Sequence, residues 1–299
     1  VGTEALNVQN FTTATNSFNT AIGYTAGGSV TTGVENTIIG ALSGDALTDA
    51  DRNAVFGYSA LTLDTLGSKS TAIGTITLAN QNFTTATDSF NTAVGYAAGQ
   101  EVTTGTENTL VGALAGDAIT TGNNNVAVGH LALSSNVLSH FNTAIGNDAL
   151  FTHNQATSIE SFNTAVGFNT AANLTTGIRN TMIGSKAGDA LTDADFNTAL
   201  GMAALSDDTL GSYSTAVGYQ ALGSQNFTTA TNSHNTAVGM QSLAGLTTGV
   251  KNTTLGSASG ISVSTGIENT LIGAQAGDAL TDADFNIAIG TDALGGDTL

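Results

Sequence analysis

The chain has 299 residues and a formal net charge of −18, with 5 Lys+Arg against 23 Asp+Glu, no Cys, Pro or Trp, and 37 Gly. This composition excludes disulfides and thiolate metal sites, and the scarcity of basic side chains argues against electrostatic binding to nucleic acid or an anionic membrane. No run approaches the roughly 18 apolar residues of a membrane-spanning helix, so no direct membrane insertion is expected in this segment. The start in mid-pattern at Val1-Gly2 reads as an internal part of a longer polypeptide.

The first patterned stretch is FNTAIGYTAG, residues 18–27, and it returns as FNTAVGYAAG from Phe90, FNTAIGNDAL from Phe141 and FNTAVGFNTA from Phe162. Aligned on their glycine, these groups and their relatives give Gly2, Gly23, Gly40, Gly57, Gly74, Gly95, Gly112, Gly129, Gly146, Gly167, Gly184, Gly201, Gly218, Gly239, Gly256, Gly273 and Gly290. The intervals are 21, 17, 17 and 17, four times over, which sets a 72-residue higher repeat at 2–73, 74–145, 146–217, 218–289 and onward. Length alone suggests about two domains, but no linker interrupts the ruler, so 1–299 reads as one continuous repeat array.

Four residues before the glycine stand Asn19, Asn36, Asn53, Asn91, Asn108, Asn125, Asn142, Asn163, Asn180, Asn197, Asn235, Asn252, Asn269 and Asn286, replaced by serine at Ser70 and Ser214. The residue just before the glycine is Val, Ile, Leu or Phe, the one three after it is small, and a further apolar position falls seven after it at Val30, Leu47, Val102, Ile119, Leu174, Leu191 and Leu280. A period of 17 is too short for a helix pair, which needs about 34 residues. Short alternations of Thr, Val and Ile punctuated by glycine predict strands. Extended, such a coil covers roughly 56 Å, enough to go out and back around a thin core. The predicted fold is therefore all-β, a parallel β-solenoid (β-roll) of about 17 coils of 17 or 21 residues, about 77 Å long at ~4.8 Å per coil.

Stacking turns each coil position into a ladder. The asparagines are expected to hydrogen-bond along the axis and to corner backbone, and the glycines to sit where the chain turns with positive φ or coils approach closely. The Val/Ile/Leu position before each glycine is expected to form the inward stack. Two before the glycine the usual Ala enlarges to Ile38, Leu110, Met182 and Leu271, while the position after it carries Tyr24, Tyr58, Tyr96, Phe168, Met202, Tyr219 and Met240. Both sets look too large for a thin core and are expected in part between chains. The NTAxG group thus reads as a building rule; no catalytic residue is assigned and no enzyme is expected.

The 21-residue coils carry NVQNFTTATNSFN from Asn7, ANQNFTTATDSFN from Ala79, GSQNFTTATNSHN from Gly223 and a divergent HNQATSIESFN from His153. Their four extra residues must bulge from the cross-section, with Phe11, Phe83 and Phe227 packing on an adjacent coil or chain. LTLDTLGSKS (61–70) and LSDDTLGSYS (205–214) precede such coils, and ALGGDTL (293–299) repeats the start of that signature one coil late, as though an ordinary coil had been inserted near ISVSTGIEN. A Ser-rich STAxG group followed by a QNFTTAT-like bulge is the expected continuation.

GDALTDAD recurs at 44–51, 188–195 and 277–284. Its oxygen ligands Asp45, Asp49 and Asp51, Asp189, Asp193 and Asp195, and Asp278, Asp282 and Asp284 have spacings that calcium could use. The variant from Gly116 keeps only Asp117 and the nonapeptide calcium signature is missing, so Asp-capped corners are the favoured reading and no cofactor is expected. His130, His140, His153 and His234 form no HxH or HExxH group, and the glycines form no GxxxxGK[ST] phosphate loop. Thr pairs such as Thr31-Thr32 and Thr175-Thr176 occur in some coils only, and β-propensity accounts for them.

TTGVENTIIG (31–40) and TTGIRNTMIG (175–184) resemble the ATG-xxS-VAIG phrasing of the head repeats of trimeric autotransporter adhesins and the repeats of bacteriophage tail fibres. That resemblance implies a left-handed β-roll, association as a homotrimer, and a place outside the cell, on a cell surface or in a virion tail fibre. It also implies a host or neighbouring-cell surface glycan or protein as partner. The expected function is a rigid extracellular fibre segment for attachment; the alternatives are a purely structural filament or matrix component and, more remotely, a polysaccharide-degrading tailspike.

Overall fold

The computed structural model describes residues 2–296. The protein is an all-β parallel β-solenoid, with no helix among the described residues. Its contacts group into two units, Val1–Ile145 with Asn154–Glu160, and Gly146–His153 with Ser161–Leu299.

In the first unit the three-residue strands Thr20–Ile22, Thr37–Ile39, Ala54–Phe56, Thr71–Ile73, Thr92–Val94, Thr109–Val111, Val126–Val128 and Thr143–Ile145 pair in parallel in chain order. Equivalent positions face each other, with Thr20 opposite Thr37, Ala21 opposite Ile38 and Ile22 opposite Ile39. The second unit repeats this from Thr164–Val166 through Thr181–Ile183, Thr198–Leu200, Thr215–Val217, Thr236–Val238, Thr253–Leu255 and Thr270–Ile272 to Ile287–Ile289. Each unit also has one two-residue pair, Gly67–Ser68 with Thr87–Asp88 and Gly211–Ser212 with Thr231–Asn232.

The strands end where the ruler glycine turns the chain. Gly23 has φ +140° and Gly57 +142°, values that L side chains rarely adopt. A Cβ on Gly23 would also lie 2.4 Å from the carbonyl oxygen of Gly40 in the next coil. Conformation and clearance each require glycine there.

Burial within the strands corrects the expected core. The residue two before the glycine points inward: Ile38, Val55, Ala72, Leu110, Met182, Ala199 and Leu271 have no exposed surface. The residue just before the glycine points outward, with Ile22 46 % and Leu255 50 % exposed. Strand side chains alternate, so only one of the two can face in, and the thin interior takes the mostly small member. Ile38, Leu110, Met182 and Leu271 therefore line the core and do not pack between chains.

Room for these larger residues is made on the opposite wall. The position four after the glycine is usually leucine, as at Leu61, Leu78 and Leu133, all buried. Where it is Gly27 or Gly44, a Cβ would lie 2.9 or 3.4 Å from Ile38 Cδ1; at Gly99 and Gly116 it would meet Leu110 at 2.6 and 2.7 Å. Gly188 faces Met182 Sδ at 2.7 Å, and Gly260 and Gly277 face Leu271 at 2.9 Å. Large against glycine replaces alanine against leucine, and the interior volume is conserved.

Candidate interaction surface and buried junctions

The asparagine ladder occupies a corner. Asn36 Nδ2 donates to the Ala50 carbonyl at 2.7 Å while its Oδ1 accepts the Asn53 backbone N–H at 2.9 Å; in the second unit Asn180 donates to Ala194 at 2.7 Å and accepts from Asn197 N–H at 3.0 Å. The same pattern holds at Asn19, Asn53, Asn91, Asn108, Asn125, Asn197, Asn235, Asn252 and Asn269. Within the second unit Asn163 donates to Gly177 at 2.8 Å. Amide-to-amide bonds are longer, as between Asn36 and Asn19 at 3.3 Å, so the ladder serves chiefly to join the backbones of successive coils. Asn142 and Asn286 give their own N–H to Asn125 and Asn269.

In each unit the outward face of the strands is regular in composition. It consists of mostly threonine three before the glycine, an aliphatic residue (once Phe56) one before it and, in some coils, an aromatic or methionine one after it, such as Tyr58 at 55 % exposure. None of these three positions holds Asp, Glu, Lys or Arg anywhere in the chain. Beside them runs a ladder five before the glycine, where Phe18, Phe90 and Phe285 are exposed. It holds four of the five basic residues. Arg52 pairs with Glu35 at 2.7 Å and Lys251 with Glu268 at 2.9 Å, while Lys69 lies 5.0 Å from the centre of the Phe90 ring and Arg179 5.3 Å from that of Phe196.

Phe83 and Phe227 turn inward and are 5 % exposed, leaving Thr84–Ala86 and Thr228–Ala230 as the projecting parts of the inserts; Phe11 is half-buried. Around Phe83 lies a buried polar junction that sequence reasoning missed. Asp64 Oδ1 accepts the backbone N–H groups of Gly67 (3.0 Å) and Phe83 (3.1 Å), and Gln81 Nε2 donates to Asp64 Oδ2 (2.6 Å) and Ser70 Oγ (2.8 Å). Ser70 meets Ser89 Oγ at 2.6 Å, and Asn91 Nδ2 donates to Gln81 Oε1 at 2.9 Å. Serine replaces the ladder asparagine here because the insert brings the Gln81 amide alongside it. The second unit repeats the junction with Asp208, Gln225, Ser214, Ser233, Asn235 and Phe227. Burial raises the Asp208 pKa above the usual carboxylate range, against the opposing hydrogen bonds of Gln225, Phe227, Gly211 and Thr209. The shared signal in the sequence is D-x-x-G-S-x-S followed by Q-N-F.

The acidic stretches lie at corners and cap neighbouring coils. Asp49 and Asp193 accept from Thr32 and Thr176 hydroxyls at 2.6 Å, Asp45 accepts from Thr62 at 2.6 Å, and Asp51, Asp195 and Asp284 accept the N–H groups of Val34, Ile178 and Ile267 at 2.8 Å. Asp282 accepts from Thr281 at 3.1 Å. Asp189 and Asp278 each keep one buried oxygen without a partner, and burial raises the Asp189 pKa. No group of three or more His, Asp or Glu side chains suited to a metal gathers among the described residues.

The histidines are dispersed. His140 meets Ser158 at 2.6 Å and His234 packs 5.2 Å from the Tyr213 ring. His153 is fully buried with neither ring nitrogen hydrogen-bonded in acceptable geometry, and burial lowers its pKa to about 4, slightly offset by the Thr175 backbone. No helix among the described residues is long and apolar enough to cross a membrane. Comparison with protein-family models, curated proteins and solved structures finds no match in any of the three. A parallel β-solenoid consistent with solenoid fibres in general is what the fold establishes.

Proposed function

We propose that the chain is a rigid, non-catalytic segment of an extracellular attachment fibre, on a cell surface or in a virion tail fibre, and that three copies associate through the outward strand face. The carrying observation is that this face combines a regular aliphatic ladder with a complete absence of charged residues on a chain of net charge −18. A large exposed apolar strip marks an interaction site, and depletion of charge is the mark of an interface core. A second copy suits it: bringing two such faces together buries aliphatic surface without opposing like charges. The projecting inserts at Thr84–Ala86 and Thr228–Ala230 are then left for a surface glycan or protein.

Sedimentation of the chain at micromolar concentration tests the association, with a mass three times that of the monomer expected. Placing lysine in the face, as V94K with L200K, should yield monomers that keep the β-sheet circular dichroism. A stable monomer of the unaltered chain would refute the reading.

A further inference from the structure

The inserted coils that begin at Gly74, Gly146 and Gly218 are fastened in two ways. Those at Gly74 and Gly218 bury Phe83 and Phe227. The coil at Gly146 has Gln155 at that step, and the coil before it has Asn136 where the other two have Asp64 and Asp208. Its insert, 154–160, is joined to the preceding coil through His140. The His140 N–H donates to the Ile159 carbonyl at 2.9 Å, and His140 forms a parallel bridge with Glu160. Nδ1 of the His140 ring accepts the Asn123 N–H at 2.9 Å, and Nε2 lies 2.6 Å from Ser158 Oγ. A neutral ring that accepts at Nδ1 carries its proton on Nε2, so it is the ring that donates to Ser158.

We infer that His140 is an acid-sensitive latch: neutral, it ties the insert 154–160 back to the coils before it, and protonated, it releases the insert. Elsewhere the step six before the ruler glycine supplies the same cap with groups that do not titrate in this way. Ser68 and Ser212 Oγ accept the N–H groups of Asp51 and Asp195 at 2.9 Å, and Asn123 Oδ1 accepts that of Thr106 at 2.7 Å. A hydroxyl or amide oxygen accepts in acid and base alike. A ring nitrogen that has taken up a proton is a donor, and it faces the Asn123 N–H with a second N–H. The ring must then turn away, and its bond to Ser158 is lost with it. His140 and Ser158 also change together: where the cap is Ser68 or Ser212, the insert residue at the step of Ser158 is Ala86 or Ala230, which has no side-chain hydrogen bond to offer. Glu160, paired in register with His140, is the one ionisable residue of the insert, and residues 118–128 of the preceding coil contain none.

Amide exchange of the whole chain, followed by mass spectrometry and corrected for the intrinsic effect of pH, tests the latch. From about pH 8 to about pH 5, the range in which histidine changes charge, protection of residues 154–160 should fall relative to the inserts 82–88 and 226–232. The fall should be about tenfold, the scale of one or two hydrogen bonds. His153, whose pKa burial lowers to about 4, stays neutral over that range, so H153Q should leave the fall in place, and so should E160Q. H140N, whose amide oxygen accepts at either end of the range, should abolish the fall and keep the Asn123 amide protected throughout. Ring-nitrogen NMR shifts at about pH 8 should show His140 protonated on Nε2. Absence of the fall, its persistence in H140N, its loss in H153Q or E160Q, or a neutral His140 protonated on Nδ1 would each overturn the inference.

Discussion

Gln81 in the first unit and His153 in the second occupy the same step of a 21-residue coil, seven residues past the ruler glycine, and their surroundings treat them in opposite ways. The Gln81 amide is used in full, by Asp64, Ser70 and Asn91. The His153 imidazole is buried with no hydrogen bond. The sequences around these steps differ in concert: Asn136, Ser139 and Asn142 stand where the other two junctions have aspartate, glycine and serine, and Gln155 stands where they have phenylalanine. An insert can thus be anchored by a buried polar network or held without one. The two solutions should differ in their sensitivity to mutation and in the sign of their response to acid.

The largest effect is expected from D208A. It strips the acceptor from three buried donors, the N–H groups of Gly211 and Phe227 and the Gln225 amide. At about 1–3 kcal/mol per unsatisfied buried donor, with incomplete additivity, the loss should come to roughly 3–5 kcal/mol. Because a solenoid's stability is a sum of coil and neighbour terms, the loss should be local. Amide exchange of residues 205–235 should accelerate well before the rest of the second unit, and D208N, which keeps an acceptor, should cost less. A change below about 1 kcal/mol would mean that the network is incidental to the fold.

Acid should separate the two solutions next. Burial lowers the folded pKa of His153 to about 4, below the ordinary histidine value of about 6.5. The neutral ring therefore contributes stability above pH 6.5 that is lost as pH falls through about 4, up to roughly 3 kcal/mol at 1.36 kcal/mol per unit. Asp208 has the opposite sign: its folded pKa is raised, so its contribution is greatest in acid and is lost as pH rises through the folded value. Between pH 7 and pH 4 the segment around His153 should lose exchange protection while the Asp208 junction does not. H153Q should flatten the first profile; a profile unchanged by H153Q would place the acid response elsewhere.

The period, the parallel stacking and the importance of the glycines were legible because each depends on spacing alone. Which strand residue faces inward was not. Hydrophobicity favours Ile22 over Ala21 as the core residue, yet the thin interior selects by size. The usable signal was covariation of volume: Ile38 occurs with Gly27 and Gly44, Leu110 with Gly99 and Gly116, and Leu271 with Gly260 and Gly277. Positions that exchange bulk face each other. The junction was hidden for a related reason. Asp64 and Gln81, taken singly, are ordinary surface residues, and only their joint occurrence with Ser70 and Gly67 in two places points to burial. The last three residues of the third partial signature, 297–299, lie outside the described residues.

The two filled junctions sharpen the comparison through one pair of their surface differences. Lys69 pairs with Asp88 at 2.5 Å in the first, both side chains being about a third to a half exposed. In the second those positions are Tyr213 and Asn232, and the tyrosine ring stacks 4.9 Å from that of Phe196. An exposed ion pair contributes about 0–1 kcal/mol and is weakened by salt, while the buried bonds around Asp64 are shielded from both solvent and ions. Giving the first junction the second's residues at these two positions, K69Y and D88N, should therefore change its stability by less than about 1 kcal/mol. The double-mutant coupling between Lys69 and Asp88 should shrink as sodium chloride is raised, with the exchange protection of Gly67 and Phe83 unchanged. If that protection collapsed in K69Y/D88N, the surface pair would be what holds the insert, and the buried network would follow from it.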